Sequence, residues 1–283
     1  MTKKINPQSV GLDIGLSFIK WLTGSENLHY GIWTDLDVSA ENIGSAQSIY
    51  TDTIFSYLPD GPLRILDVGG GAGETARKLI ALGHQVDIVV PSPFLAERCR
   101  ANAPTATVNL CKFEEFETDQ KFDLCLFSES FQYISYKIAI ERAIRFVKQG
   151  GHVLISDCFR ISQADKKNKL RRVGGGHSIT EFRTHLTMSG VKIIAQEDIT
   201  QAVAPSIDLE QELFNFFGHA VRRVDGELKE KKPWLRWFLT RMLGLVLNER
   251  RRYRLGQRLF EKDRTSADFI KHNQYLIYLL KLK

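Results

Sequence analysis

The sequence predicts an α/β fold: a doubly wound, mostly parallel sheet of seven strands with helices packed on both faces. Three observations carry this. An apolar run with a single acid, Ile65-Leu66-Asp67-Val68, leads into Gly69-Gly70-Gly71-Ala72-Gly73 and then a helix-like segment with Ala76, Lys78, Leu79 and Ala81. That is the pattern of a buried strand, a very tight turn and a helix N-terminus facing whatever the turn holds. Short apolar runs then alternate with helical segments as far as residue 156, the rhythm of a parallel sheet. A final apolar run, Gln274 to Leu282, reads as one last strand.

The elements follow in order. The first 60 residues form a helical lead-in with a helix from Ser9 to Leu22, and residues 61–200 form the core. After the glycine loop, Val86 to Val90 is the second strand, and Pro91-Ser92-Pro93 turns into a helix from Phe94 to Ala101. Thr107 to Leu110 is the third strand. Phe122 to Phe127 is the fourth, apolar enough to be buried on both faces. A helix from Lys137 to Lys148 stops at Gly150-Gly151, as helices commonly stop at glycine. His152 to Ser156 is the fifth strand. Residues 160–178 make a polar connection whose Gly174-Gly175-Gly176 suits a flexible lid. Thr180 to Gly190 is a helix with Thr180 near its cap, and Val191 to Ala195 the sixth strand. Residues 201–272 are helix-rich, an insertion capping the site, and residues 273–283 return to the sheet. Ligands of such sheets sit beyond the strand carboxyl ends, where Gly69–Gly73, Ser92, Phe113 and Ser128-Glu129 all fall.

Composition narrows the class. With 43% hydrophobic and 25% charged residues in 283, the chain can bury a sizeable core, and disorder is excluded as its general state. No apolar run reaches the ~20 residues that span a bilayer. The basic pair in MTKKINPQSV has no apolar stretch behind it, so a cytoplasmic protein is expected. Cys99, Cys111, Cys125 and Cys158 lack C-x-x-C spacing and imply neither a zinc site nor disulfides. The net charge of +6 is uneven: Lys166, Lys167, Lys169, Arg171, Arg172 and much of 222–264 are basic. A solvated face, an anionic membrane, an anionic substrate and nucleic acid all suit such a surface.

Glycines at 69, 71 and 73 let backbone N–H groups approach a ligand that a Cβ would exclude, and Asp67 offers a carboxylate to a cationic or polyhydroxyl ligand. A dinucleotide fingerprint would put its third glycine at 74, where Glu74 stands and would repel a pyrophosphate. The spacing D-x-G-x-G-x-G resembles the first motif of class I S-adenosylmethionine-dependent methyltransferases, whose core is Rossmann-like. The resemblance covers residues 1–160 and, less fully, the last strand. It implies S-adenosyl-L-methionine as cofactor, held by Asp67, Gly69, Gly70, Gly71 and Gly73.

Within that class, Leu28-His29-Tyr30-Gly31-Ile32-Trp33 is similar to the H-Y-G-x-W/Y lid segment of tocopherol-type and cyclopropane-fatty-acid-synthase-like enzymes. By that likeness Tyr30 reaches the methionine end of the cofactor, and His29 and Trp33 line the lid. Packing of a surface helix is the alternative meaning of the cluster. Ser128-Glu129-Ser130 resembles the M-E-S or N-E-S segment of tocopherol-type and prenyl-diphosphate C-methyltransferases, in which the glutamate lies near the reacting atom. A glutamate at a strand end beside apolar residues is raised in pKa and serves as base or cation stabiliser, or it simply favours a helix N-terminus. His29, Glu129 and Tyr133 are the candidates for accepting a proton or stabilising a cation.

Two positions depart from the pattern. The second strand of such enzymes often ends in an acid that holds the ribose, and here Val90 stands there, with Ser92 as substitute. Asp87 lies three residues earlier and faces the opposite side of the strand. The adenine-recognising acid is replaced by Lys112, which leaves the Phe113 backbone amide and Glu114 or Glu115. Ser128 completes the expected cofactor contacts. A lost hydrogen bond to a charged partner costs about 1.5–3 kcal/mol, bearable if other contacts hold.

The helical insertion is rich in Phe214, Phe216, Phe217, Trp234, Trp237, Phe238 and Met242, interleaved with arginines. Residues 234–247 read either as a core helix or as a membrane-surface helix giving peripheral contact. Both suit a hydrophobic acceptor with an anionic handle: a polyene or aryl-polyene chain on a carrier protein, a quinone-like lipid, or a prenyl diphosphate. A non-catalytic protein of the same fold, acting as a regulatory or partner-binding module, is the second reading, supported by Val90 and Lys112. Nucleic acid is not expected, because the N-P-P-Y or D-P-P-Y motif of amino-group nucleic-acid methyltransferases is replaced by Ser128-Glu129-Ser130-Phe131.

Overall fold

The computed structural model describes residues 7–161, 173–246, 249–260 and 264–283. The basic residues Lys166, Lys167, Lys169, Arg171 and Arg172 lie outside them. Helices α1 (Pro7–Thr23) and α2 (Ile43–Phe55) precede a βα alternation: β1 (Arg64–Val68), α3 (Glu74–Ala81), β2 (Gln85–Val90), α4 (Pro93–Asn102), β3 (Thr107–Leu110), β4 (Phe122–Ser128), α5 (Tyr136–Phe146) and β5 (Val147–Arg160). Then come β6 (His177–Ser178), α6 (Ile179–Met188), β7 (Val191–Asp198), the helical block α7 (Thr200–Val203), α8 (Pro205–Lys231), α9 (Pro233–Val246), α10 (Glu249–Phe260) and α11 (Ser266–His272), and finally β8 (Asn273–Leu282).

The sheet runs β3-β2-β1-β4-β5-β8-β7, with β8 antiparallel to both neighbours. The seven expected strands are this path. The eighth, β6, is a two-residue strand beside β5 that the sequence did not signal. Strand residues alternate faces, so Ile65, Ile88, Leu124 and Leu154 enter one apolar layer and Leu66, Val89, Cys125 and Ile155 the other. Helix α5 closes the second layer with Ala139, Ile140, Ala143 and Phe146, spaced three and four apart on one face.

Several boundaries correct the sequence reading. The helix expected to reach Lys148 ends at Phe146, and Gly150-Gly151 belong to the entry of β5. Gly150 has φ +73°, and a Cβ on Gly151 would lie 2.9 Å from the Asp123 carbonyl, so strand packing explains this pair better than a helix stop. The cap of α6 is Ser178, whose hydroxyl accepts from the Glu181 N–H at 3.4 Å, and Thr180 lies inside the helix. The glycine triplet is no loose hinge. A Cβ on Gly176 (φ +92°) would sit 1.9 Å from the Cys158 carbonyl oxygen, and one on Gly174 would be 2.7 Å from the Asn273 side chain. The triplet is therefore pressed onto β5 and β8. The core-helix reading of 234–247 also fails, because Trp234 and Trp237 on α9 are 69% and 66% exposed.

Candidate active site

The switch in strand order between β1 and β4 opens a crevice at the carboxyl edge, and the glycine loop lines it. The Gly69 N–H donates to the Val89 carbonyl at 2.8 Å, extending the β1–β2 pairing into the turn. A Cβ on Gly69 (φ +76°) would lie 2.4 Å from Ser130 Cβ, and the Ser130 hydroxyl donates to the Val68 carbonyl. The glycine loop and the loop after β4 are thus in direct contact. Gly71 (φ +55°) alone among the loop's left-handed glycines has nothing within 4 Å of its missing side chain. Beneath it Asp67 is buried, its Oδ2 has no partner, and burial pushes its carboxyl up to about 7. A buried polar atom without a partner is costly and marks a place for a ligand donor. That orphan, under a loop open at Gly71, fits the cationic amino-acid end of S-adenosylmethionine.

The other expected cofactor contacts are placed as follows. Val90 is buried in the layer that α3 and α4 cover and supplies no polar group. Asp87 is taken by Arg64, 3.2 Å away. Ser92 caps α4, its Oγ accepting from the Leu95 N–H at 3.4 Å. The ring of Phe113 lies in the core, edge-on to Phe127 at 5.5 Å and Phe146 at 6.1 Å, so only its backbone is free for recognition. The Ser128 Oγ faces the Tyr50 hydroxyl at 3.4 Å.

Glu129 stands just past β4 in a left-handed conformation (φ 54°), unusual outside glycine, with its N–H donating to the Ser156 carbonyl at 2.9 Å. Its Oε1 accepts from the Tyr30 N–H and the Tyr275 hydroxyl, both at 2.8 Å. No partner occupies Oε2 among the described residues. Tyr275 continues to Tyr50 at 2.8 Å, and Tyr50 to the Ser156 Oγ at 2.9 Å. Burial outweighs these donors and raises the Glu129 carboxyl to about 8.

His29 stacks on Tyr50 with ring centroids 4.6 Å apart. Its Nδ1 donates to the Tyr30 carbonyl at 2.8 Å, while its buried Nε2 has no partner. Burial holds this imidazole down at about 4, so it is neutral at physiological pH, with a free lone pair on Nε2. Tyr133 lines the mouth of the same cavity as His29 and Glu129. Its side chain is 80% exposed at the rim, and its hydroxyl is raised, first by partial burial and then by Asp157 and Glu129, so it is no base near neutrality.

Glu129, His29, Tyr30 and Tyr275 face one cavity of about 700 Å³. Its other walls are Phe18, Ile19 and Leu22 of α1, Leu209, Leu213 and Phe214 of α8, and Phe269 of α11. Glu210, Glu212, Arg258 and Arg264 supply its remaining charges, and both arginines pair with Glu210, Arg264 at 3.1 Å. The lid segment is fixed between helices: Ile32 N–H bonds the Ala46 carbonyl at 2.9 Å and Trp33 Nε1 donates to Ser206 Oγ at 2.8 Å.

Several of these residues escaped sequence reasoning. Tyr50, Tyr275 and Glu210 reach the site from distant elements with no motif around them. Asp157 did carry a signal, an acid at the end of β5 as Glu129 is at the end of β4. It is buried, accepts from the Gln132 N–H at 2.9 Å, and is pushed up to about 7 by burial. Glu26, buried just ahead of the lid, binds Arg98 Nε at 2.9 Å, Asn102 at 2.7 Å and Lys20 at 3.1 Å. Asn102 also bonds the Ala72 carbonyl at 2.9 Å, so this knot ties the lid to the glycine loop.

A pH dependence of stability follows. Asp67, Asp157 and Glu129 all have folded values raised by burial, to about 7, 7 and 8. The native state then binds more protons than the unfolded chain, and this contribution is full below about 4 and lost as pH rises through 7 to 8. His29, lowered to about 4, acts oppositely: its contribution is full above its ordinary 6.5 and lost as pH falls through 4. The melting temperature is therefore expected to rise as pH is lowered from 8.5 towards about 5, with His29 taking back part of the gain below 6.5. A melting temperature that increases steadily from pH 6.5 to 8.5 would contradict these assignments.

The strand order and the antiparallel β8 are those of a Rossmann-like methyltransferase fold. Residues 65–151 match the methyltransferase domain family. An uncharacterised methyltransferase of Mycobacterium tuberculosis is 29% identical over 97 residues, 34% of this chain and 40% of that protein, so the chain spans about 40% of the length of the curated relatives it matches. Among solved structures, the cyclopropane synthase MmaA2 of the same organism superposes with a TM-score of 0.69 at 15% identity, covering 99% of this chain and 100% of that one. The cyclase SpnF gives 0.67 at 16% identity over 97% and 95%. A geranyl diphosphate C-methyltransferase from Streptomyces coelicolor A3(2), solved with S-adenosyl-L-homocysteine, gives 0.64 at 14% identity over 96% and 92%. At these identities the likeness is one of fold.

Proposed function

We propose that this protein transfers the methyl group of S-adenosylmethionine to a hydrophobic small-molecule acceptor bound in the cavity behind the lid. The observation that carries the reading is one cavity wall holding Glu129, whose Oε2 has no hydrogen-bond partner among the described residues, and His29, whose buried Nε2 is unpartnered, beside the loop that meets the glycine turn through Ser130 and Gly69. The proposed cofactor contacts are Tyr30, Asp67, Gly69–Gly73, Ser92 and the Phe113 backbone. When bound, the cofactor supplies an electrophilic methyl on a sulfonium.

The chain's own residues position, desolvate and handle the proton. The apolar walls hold an acceptor and exclude water, which strengthens every charge interaction at the reacting atom. For a hydroxyl acceptor, His29 Nε2 takes the proton, since Nδ1 is already bonded to a carbonyl and the ring is neutral. For an alkene or aromatic carbon, the Glu129 carboxyl, ionised as pH rises through about 8, and the faces of Tyr30 and Tyr275 stabilise the developing cation. The apolar lining supports a hydrophobic acceptor such as a polyene or aryl-polyene chain on a carrier, a prenyl diphosphate, or a quinone-like lipid. Arg258 and Arg264, both paired with Glu210, would meet an acidic or phosphorylated end by exchanging that partner.

The test is calorimetric titration with S-adenosylhomocysteine, followed by transfer of labelled methyl to a panel of these acceptors. Micromolar binding and transfer to an apolar acceptor support the reading. Absence of binding at millimolar ligand overturns it in favour of a non-catalytic module.

A further inference from the structure

Helices α8 and α9 form a hairpin turning at Lys232, clasped by Arg236 on Asp225 at 2.8 and 3.1 Å. Its outer surface is apolar to a degree that a free soluble surface seldom is. Trp234 and Trp237 are followed on α9 by Phe238, Leu239, Met242 and Leu243, each between 44% and 50% exposed. On α8, Phe216 is 68% exposed, and Val221 and Val224 are exposed at helical spacing. No helix of the described residues is long and apolar enough to cross a membrane, so this surface does not belong to a span.

The charge around it is net positive. Residues 221–246 carry seven basic side chains and three acidic ones. Arg223 and Lys231 share Glu227, and Arg236 holds Asp225. Arg222 and Arg241 lie over the rings of Phe260 and Trp237 and have no acidic partner among the described residues. The sequence of α10 adds five arginines against a single glutamate.

These two features together select the partner. A nucleic acid or an acidic protein would answer the charge but leave two tryptophans and a row of aliphatic side chains in water. A second copy of this chain would cover the apolar residues but press two strongly basic surfaces together. A lipid surface with anionic headgroups answers both. Arginine and lysine meet the headgroups, and tryptophan, phenylalanine and leucine enter the boundary below them.

We propose that the α8–α9 hairpin docks this protein on an anionic lipid surface. Helix α8 also carries Leu209, Leu213 and Phe214, which line the cavity, and Phe216 and Phe217 follow within a turn. The same helix thus joins the docked surface to the acceptor cavity. The docking itself does not depend on methyl transfer.

The experiment is co-sedimentation of the full chain with vesicles of phosphatidylcholine alone and of phosphatidylcholine mixed with phosphatidylglycerol, at low and high salt. Binding is expected to the mixed vesicles, weakened by salt. A Trp234→Ser/Trp237→Ser variant is expected to lose at least about tenfold in partition, since each ring removed takes buried apolar area from the lipid boundary. Its melting temperature and S-adenosylhomocysteine affinity should match the parent, showing that fold and cofactor site are intact. No binding to mixed vesicles, or equal binding by the variant, overturns the proposal. So does a lipid-free dimer, by sedimentation velocity, that the same variant dissolves. Each of these leaves the methyl-transfer reading to its own titration.

Discussion

Glu129→Gln is expected to lower methyl transfer by about 100- to 1,000-fold, the range for losing a positioned acid–base group, with S-adenosylhomocysteine affinity nearly unchanged. The amide keeps the volume and still accepts from the Tyr30 N–H and the Tyr275 hydroxyl, so the fold has no reason to shift. What disappears is the ionisable carboxyl, whose negative charge appears as pH rises through about 8. Tyr275→Phe separates this from a structural role. Removing a donor to a carboxylate disfavours its ionised form, so the carboxyl moves above its present value of about 8. The rising limb of kcat/KM, which reports the free enzyme, should then shift to higher pH with activity recovered at the alkaline end. A purely structural contribution would lower the rate equally at every pH. Full activity in Glu129→Gln, or a profile flat between pH 7 and 9, would remove Glu129 from the chemistry.

The second large effect concerns the glycine loop, where neighbouring positions should fail differently. Gly71→Arg places a long side chain in open space, since nothing lies within 4 Å of the missing Cβ. The left-handed φ of +55° costs about 1–2 kcal/mol, a loss the fold can carry. The arginine fills the cleft beside Asp67, and S-adenosylhomocysteine affinity is expected to fall at least about 100-fold, which is about 2.7 kcal/mol. Gly70→Val is a stability variant instead. Its Cβ would meet Asp67 Oδ2 at 2.5 Å and Ile88 Cγ2 at 2.9 Å, in a core that cannot yield without strain. Overpacking of that kind costs about 1–3 kcal/mol and should lower the melting temperature by several degrees. Calorimetry and thermal melts on the pair decide the matter. Unaltered cofactor binding by Gly71→Arg would mean that the ligand does not use this loop.

The chain's own order of runs and turns determined the sheet. Each strand and helix of the βα alternation is fixed by residues close in sequence, so Ile65 to Gly73 announces strand, turn and helix without outside help. Glu129 and His29 were legible for the same reason, each sitting in a short segment at a strand end or lid. Tertiary structure alone decided what those groups meet. Tyr275 reaches Glu129 because β8 pairs antiparallel with β5 in the register that sets Tyr275 opposite Cys158. Tyr50, 225 residues away, completes the chain of hydroxyls from the far side of the lid. Tyr133, four residues after Glu129 in sequence, turns outward, because a short helical turn points its ring to the rim. Local sequence sets backbone geometry through sterics and hydrogen bonding within a few residues. The protonation of Glu129 and His29 depends on desolvation and on donors brought in from elsewhere, and only the packed chain supplies those.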